Sequence, residues 1–327
     1  MELSVYAGQV HAPHEPADFV PPPRFAEGTF ERYRIDASIA GQAEAVARIR
    51  GFAMAGRPRF WDWGRRKERQ GLYLDGDFGV GKTHLLAASW YAAAGNRRYL
   101  SFSETMSLAV LLGPQGCVDL LAADLVCIDE FELDDPSNTR LADLVLEGLF
   151  ARGSRVMMTS NTVPGDLGAE HQFVQLLRRQ LQRVQERFDD VHVPGEDYRQ
   201  RFRDAAGDDP AGWGNSVDPL PECPVITANE LDRLLRDIPV VSLRRLAKSL
   251  PGLTITDVDT ITDQLMAIRF VHLVDRLYDW RVPTRIRAQC PIAALFHVDY
   301  CDLGYRKKYR RCQSRLTELC AEGVPHA

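Results

Sequence analysis

Residues 71 to 86 read GLYLDGDFGVGKTHLL, an apolar run fit for a buried strand that passes through three glycines and a lysine into the start of a helix. Gly76, Asp77, Phe78, Gly79, Val80, Gly81, Lys82 and Thr83 match GxxxxGK[ST] between a predicted strand and a predicted helix, the context this motif requires. Glycines let the backbone turn so that its N–H groups face a phosphate, and the helix N-terminus adds partial positive charge. Lys82 then reaches the outer phosphates, Thr83 offers a hydroxyl to magnesium, and His84 follows in the same binding set. The ligand expected is a nucleoside triphosphate with Mg2+.

A second set lies further along. LVCIDEF places Asp129 and Glu130 at the end of an apolar strand. In a P-loop fold that end adjoins the phosphates, so Asp129 is expected to hold magnesium and Glu130 to orient the attacking water. An acidic pair after a strand also serves as an ordinary turn or helix start. The next strand ends TSN. In the additional-strand class of P-loop ATPases such a strand lies between the two motif-bearing strands, and its polar residue, here Asn161, helps place the water. The alternative for Asn161 is a turn-forming residue ahead of Pro164 and Gly165.

Positioning these groups requires a parallel sheet. Short β runs at 72 to 74, 97 to 102, 124 to 129, 155 to 160 and 191 to 193 alternate with helical spacing, and a further helical pattern covers 42 to 55. Such alternation reads as βαβ units. The expected fold is α/β, a P-loop NTPase whose parallel sheet is flanked by helices, followed by a smaller, mainly helical C-terminal region. The expected divisions are a proline-rich extended arm at 1–28, the ATPase domain at 29–203, a Asp/Gly/Pro-rich linker at 204–224 and a lid-like helical domain at 225–327.

Composition narrows the partners. The 327 residues suffice for one large or two medium domains, and 26% charged residues argue against disorder. A net charge of -5 gives no global attraction for nucleic acid or anionic lipid, so any basic surface is local. The first nineteen residues carry three carboxylates and no Lys or Arg, unlike a signal peptide, and no apolar run approaches the ~18 residues of a membrane span. Seven cysteines without a CxxC pair fit reduced thiols better than a disulfide framework or a zinc site. The expected location is cytoplasmic, without membrane insertion. One local basic run stands out: 304 to 315, GYRKKYRRCQSR, could stack on and neutralise nucleic acid, or could be a helix whose tyrosines pack inward.

YLDGDFGVGKTHLL, LVCIDEFELDDPSNTRLADLVLEGLF, TSNTVPGDLG, GEDYRQR, ITDQLMAIRFVHLVDRLYD and GYRKKYRRCQSRL together resemble the ZapE family of bacterial cell-division ATPases, related to the AFG-like ATPases of mitochondria. The match spans about 30 to 316, and GEDYR, LVDRLYD and GYRKKY lie outside the nucleotide motifs. The resemblance implies an AAA+ ATPase that uses ATP and assembles into a homo-oligomeric ring, with the division-ring protein FtsZ as partner. It also implies an arginine finger supplied by a neighbouring subunit. Where the family usually has that Arg, this chain has His171; Arg178, Arg179 and Arg183 follow, and Arg179 is the candidate, a solvated helix face being the alternative. Arg269 falls where a second sensor arginine would reach the phosphates, unless Asp263 or Asp275 pairs with it. Gln42 corresponds to the position from which related ATPases read adenine, or is simply a Gln at a helix start. Two other classes share these motifs: a DNA-linked ATPase of helicase-loader type and an ATP-binding regulatory switch with little turnover.

Overall fold

A computed structural model describes residues 10–55, 70–77, 79–132, 136–161, 186–195, 209–297, 299 and 305–322. The chain falls into two compact units, one within 14–21 and 25–203, the other within 1–13, 22–24 and 204–327.

The first unit is built on five parallel strands: β1 (Gly71–Asp75), β2 (Arg97–Ser101), β3 (Leu125–Asp129), β4 (Arg155–Thr159) and β5 (Phe188–His192), in the order β2-β3-β4-β1-β5. Strands β1, β3 and β4 are buried along their whole length, as continuous apolar runs with helices on both faces should be. Four helices among the described residues accompany them: α1 (Gln42–Met54), α2 (Lys82–Ala92), α3 (Phe102–Leu121) and α4 (Pro136–Ala151). Leu85, Leu86, Ala87 and Ala88 of α2 join Val46 and Ile49 of α1 and Leu72, Leu74, Cys127 and Met157 of the sheet in one core. Helix α3 opens on a reciprocal Ser101–Glu104 capping box and is broken at Gly113, φ 73°, ahead of Pro114, which has no N–H to continue the ladder.

Strand order matters most for function. β4 pairs with β3 on one side and β1 on the other, as expected for the additional strand. Since all five strands run the same way, the residues that end β1, β3 and β4 gather at one edge, where ligands of open α/β sheets bind.

The second unit holds α5 (Ala228–Asp237), α6 (Leu243–Ser249), α7 (Gln264–Asp279) and α8 (Arg306–Glu322), realising the helical periodicity past residue 225. Beside them lies a four-stranded parallel sheet that the periodicity did not announce: β6 (Trp213–Gly214), β7 (Val225–Thr227), β8 (Leu253–Val258) and β9 (Thr284–Ala288), in the order β6-β9-β8-β7. Two expected boundaries change. Residues 209–224 are not a free linker, since Trp213 is buried, donates its indole N–H to the Cys290 carbonyl at 2.9 Å and belongs to β6, while Leu220 is buried as well. The arm is likewise folded: its described part contains two 3-10 turns, Pro16–Asp18 and Pro23–Phe25, and Phe19 is fully buried, its carbonyl accepting from the Tyr99 N–H at 2.9 Å. No described helix is long and apolar enough to cross a membrane.

Candidate nucleotide site

The loop that follows β1 is shaped by what a side chain could not occupy. Gly76 has φ 145°, and a Cβ there would sit 2.4 Å from the Val193 carbonyl oxygen; Gly81 has φ 92°, and a Cβ would meet the Tyr33 ring at 2.8 Å. Only glycine is comfortable in both conformations. Helix α2 starts at Lys82 without a side-chain cap, so its first-turn N–H groups have no side-chain acceptor. The Lys82 ammonium is buried and donates to the carbonyls of Gly76 at 2.8 Å and Asp77 at 2.7 Å, lying across the loop from which it would meet phosphate. Tyr33 braces the far side, its hydroxyl donating to the Val80 carbonyl at 2.8 Å.

Asp129 is the hub at the end of β3. Its Oδ1 accepts from the Thr83 hydroxyl at 3.2 Å and from the Thr159 hydroxyl, and its Oδ2 accepts from the Tyr99 hydroxyl at 3.1 Å. Burial raises the pKa of this carboxyl, the charge of Glu130 adds to the rise, and the hydroxyls of Thr159, Tyr99 and Thr83 oppose it. Glu130 follows with φ 57°, a left-handed conformation that costs a non-glycine residue about 1–2 kcal/mol. Its N–H donates to the Thr159 hydroxyl at 3.0 Å. The structure thus brings together Lys82, Thr83, Asp129 and Glu130. Asn161 stands half-buried two residues beyond β4, whose end is tied to β1 by the Ser160 N–H donating to the Leu74 carbonyl at 2.9 Å.

Other expected site residues are used differently. Gln42 is fully buried: its Oε1 accepts from the Asp36 N–H at 2.6 Å and its Nε2 donates to the Pro194 carbonyl at 3.0 Å. That corrects the adenine-reading expectation, because the amide ties two chain segments together and has no exposed surface for a base. His84 shares a hydrogen bond between Nε2 and the Thr29 carbonyl, 2.8 Å, and lies 5.7 Å from the Tyr33 ring. Arg269 belongs to the second unit and is half-buried on α7. Neither suggested acid is paired with it: Asp263 caps α7 through the Met266 N–H, and Asp275 receives Arg311 and Arg315. Phe78, His171, Arg178, Arg179 and Arg183 lie outside the described residues.

The basic run at 304 to 315 resolves largely toward structure. Tyr309 is buried, and Arg311 and Arg315 are directed into the buried Asp275 of α7, leaving Arg306 and Arg310 exposed. Sequence reasoning missed Tyr33, Tyr99 and Thr159. Thr159 carried a signal, being a hydroxyl-bearing residue two places ahead of Asn161.

The family model for AFG1-like ATPase matches residues 16–211 and 243–325. The chain belongs to the AFG1-like ATPase family. Two curated relatives, the cell division protein ZapE of Escherichia coli strain K12 and that of Escherichia coli O157:H7, are each 26% identical over 314 residues, covering 80% of this chain and 82% of theirs. Among solved structures, that of DnaI is 19% identical over 54% of this chain and 94% of its own, with a TM-score of 0.41.

For an AFG1-like ATPase the residues present fit a nucleotide and a divalent cation. The positive-φ glycines Gly76 and Gly81 give the loop the backbone turns from which N–H groups can face phosphate. The Thr83 hydroxyl and Asp129 carboxylate are hard oxygen donors of the kind Mg2+ takes, and a cation beside a buried carboxylate with a second carboxylate next to it would relieve the penalty that raises its pKa.

Proposed function

We propose that the chain hydrolyses ATP to ADP and phosphate with Mg2+ and uses the cycle to remodel a protein partner in the cytoplasm. The observation that carries this reading is the meeting of Thr83 and Asp129 at 3.2 Å beside a glycine cradle closed by Lys82. Lys82 neutralises the outer phosphates. Thr83 and Asp129 hold the magnesium, which when bound offsets charge between the β- and γ-phosphates. Glu130 receives and orients the attacking water from its fixed turn, and Asn161 stands beside it. Arg179 of a neighbouring subunit in a homo-oligomeric ring completes the charge stabilisation. Arg269 is proposed as the second sensor on the family resemblance alone.

FtsZ is the partner proposed, on the strength of the cell-division relatives. A nucleic-acid partner is less well supported, because Tyr309, Arg311 and Arg315 face the core. The deciding experiment measures phosphate release with and without FtsZ and with and without single-stranded DNA, in the wild type and in Glu130→Gln. The expected result is stimulation by FtsZ alone, and a Glu130→Gln protein that binds ATP but does not turn it over. Wild-type turnover by Glu130→Gln would overturn the hydrolytic assignment; stimulation by DNA alone would replace the partner.

A further inference from the structure

Thr159 of the neighbouring strand makes three hydrogen bonds to the peptide turn that carries Glu130. The Thr159 hydroxyl makes two bonds at once, donating to Asp129 Oδ1 and accepting from the Glu130 N–H at 3.0 Å. Its main-chain carbonyl accepts a third, from the Phe131 N–H at 2.7 Å. Thr159 is 2% exposed, so none of these bonds has water as a ready substitute. Phe131 anchors the far side of the turn, with its ring 4.7 Å from Phe102 and 6.4 Å from Tyr73. Between these two anchors Glu130 adopts φ 57°. A left-handed glutamate persists only where its surroundings over-determine it.

We propose that Thr159 is the positioning residue for both acids of the site: its one hydroxyl sets the rotamer of Asp129 and the backbone conformation of Glu130. The inference rests on the hydrolytic reading of those two residues given above. It assigns to β4 a role besides that of Asn161. The strand between the two motif-bearing strands is then a brace that fixes the direction of Glu130 relative to the cation ligand, so loss of the hydroxyl should separate turnover from nucleotide binding. Lys82, proposed above to meet the phosphates, is held by the carbonyls of Gly76 and Asp77, and the P-loop cradle should be left as it is.

The test compares Thr159→Val, which keeps the shape and removes the hydroxyl, with Thr159→Ser, which keeps the hydroxyl. Three quantities are read: ATP turnover, the affinity for a fluorescent ADP without Mg2+, and the strengthening of that affinity as Mg2+ is added. In Thr159→Val, turnover should fall about 10- to 100-fold, the range for partners that orient metal ligands, and the Mg2+ response should weaken. Its Mg2+-free ADP affinity should stay within about twofold of wild type, as expected when an interaction outside uniform binding is removed. Thr159→Ser should restore most of the turnover. Wild-type turnover in a folded Thr159→Val protein, or an equal loss of Mg2+-free ADP affinity, would overturn the proposal. If melting shows that valine does not fold, serine decides: a folded Thr159→Ser protein that has lost turnover overturns it equally. Glu130→Gln assayed alongside separates the two levels. If Glu130→Gln turns over ATP normally, the hydrolytic reading has failed; if it is inactive while Thr159→Val is not, only the present inference has.

Discussion

Replacing Asp275 by asparagine should destabilise the helices of the second unit. Asp275 is 2% exposed on α7 and receives Arg311 at 2.8 Å and Arg315 from α8, whose side chains are themselves only 9% and 10% exposed. An amide removes the carboxylate charge that both buried guanidiniums answer. Breaking a buried ion pair from one side costs about 3–5 kcal/mol. At 1.36 kcal/mol per factor of ten, amide hydrogen exchange in α7 and α8 at pH 7 should accelerate by between about 10²- and 10⁴-fold. The pH dependence gives an independent check. Burial alone would raise the Asp275 carboxyl, but Arg311, Arg315 and Arg276 outweigh it and hold its pKa well below the ordinary 3.8. A folded-state pKa below the unfolded one gives stability that is present above the unfolded value and lost as pH falls toward the folded value. The gap in urea midpoint between wild type and Asp275→Asn should therefore be full at neutral pH and narrow below about pH 4. Exchange in α7 within a few-fold of wild type at pH 7, or a gap that ignores acid, would show that the pair does not hold these helices together.

Three further outcomes bear on the first unit. Lys82→Ala should abolish ATP binding measured by calorimetry, because the loop loses the cation that bridges Gly76 and Asp77; retained affinity would refute its phosphate role. Gly76→Ala should fold less stably by roughly 1–3 kcal/mol, the cost of a glycine-only conformation, and should lose nucleotide affinity, because the added methyl collides with the Val193 carbonyl; an unchanged melting temperature would sink this account of the cradle. Arg179→Ala should bind ATP normally but lose about 10³-fold or more in turnover, and mixing it with Lys82→Ala should recover activity if the arginine acts across subunits; a mixture that co-assembles yet stays inactive would make Arg179 a surface residue.

What could be read from sequence followed the strength of the local signal. β1, β3 and β4 are buried throughout around apolar centres, LYL, LVCI and VMM, so their places emerged to within a residue or so, and with them the positions of Lys82, Thr83, Asp129 and Glu130. β5 showed only its last residues, since Asp189 and Asp190 interrupt the apolar pattern. β6 and β7 span two and three residues, too short for any period to register, and β6 hides in a glycine-rich stretch that reads as a linker. The misassignment of Gln42 has a different cause. A glutamine at a helix start is compatible with a ligand or with a main-chain partner, and only the fold brings Pro194 within 3.0 Å. Thr159 was passed over because its use depends on a neighbour in space, Asp129, thirty residues away in the chain.

The two aspartates that obscured β5 also bear on how copies of the chain meet. Among the described strands β5 lies at the rim of its sheet, paired on one side only, with Asp189 half-buried and Asp190 exposed. An open rim is a template on which another strand can grow, and inward or outward charge is the usual guard against it. Two such rims brought side by side would set carboxylates against carboxylates. Extension of the sheet by pairing of two β5 rims is thereby disfavoured.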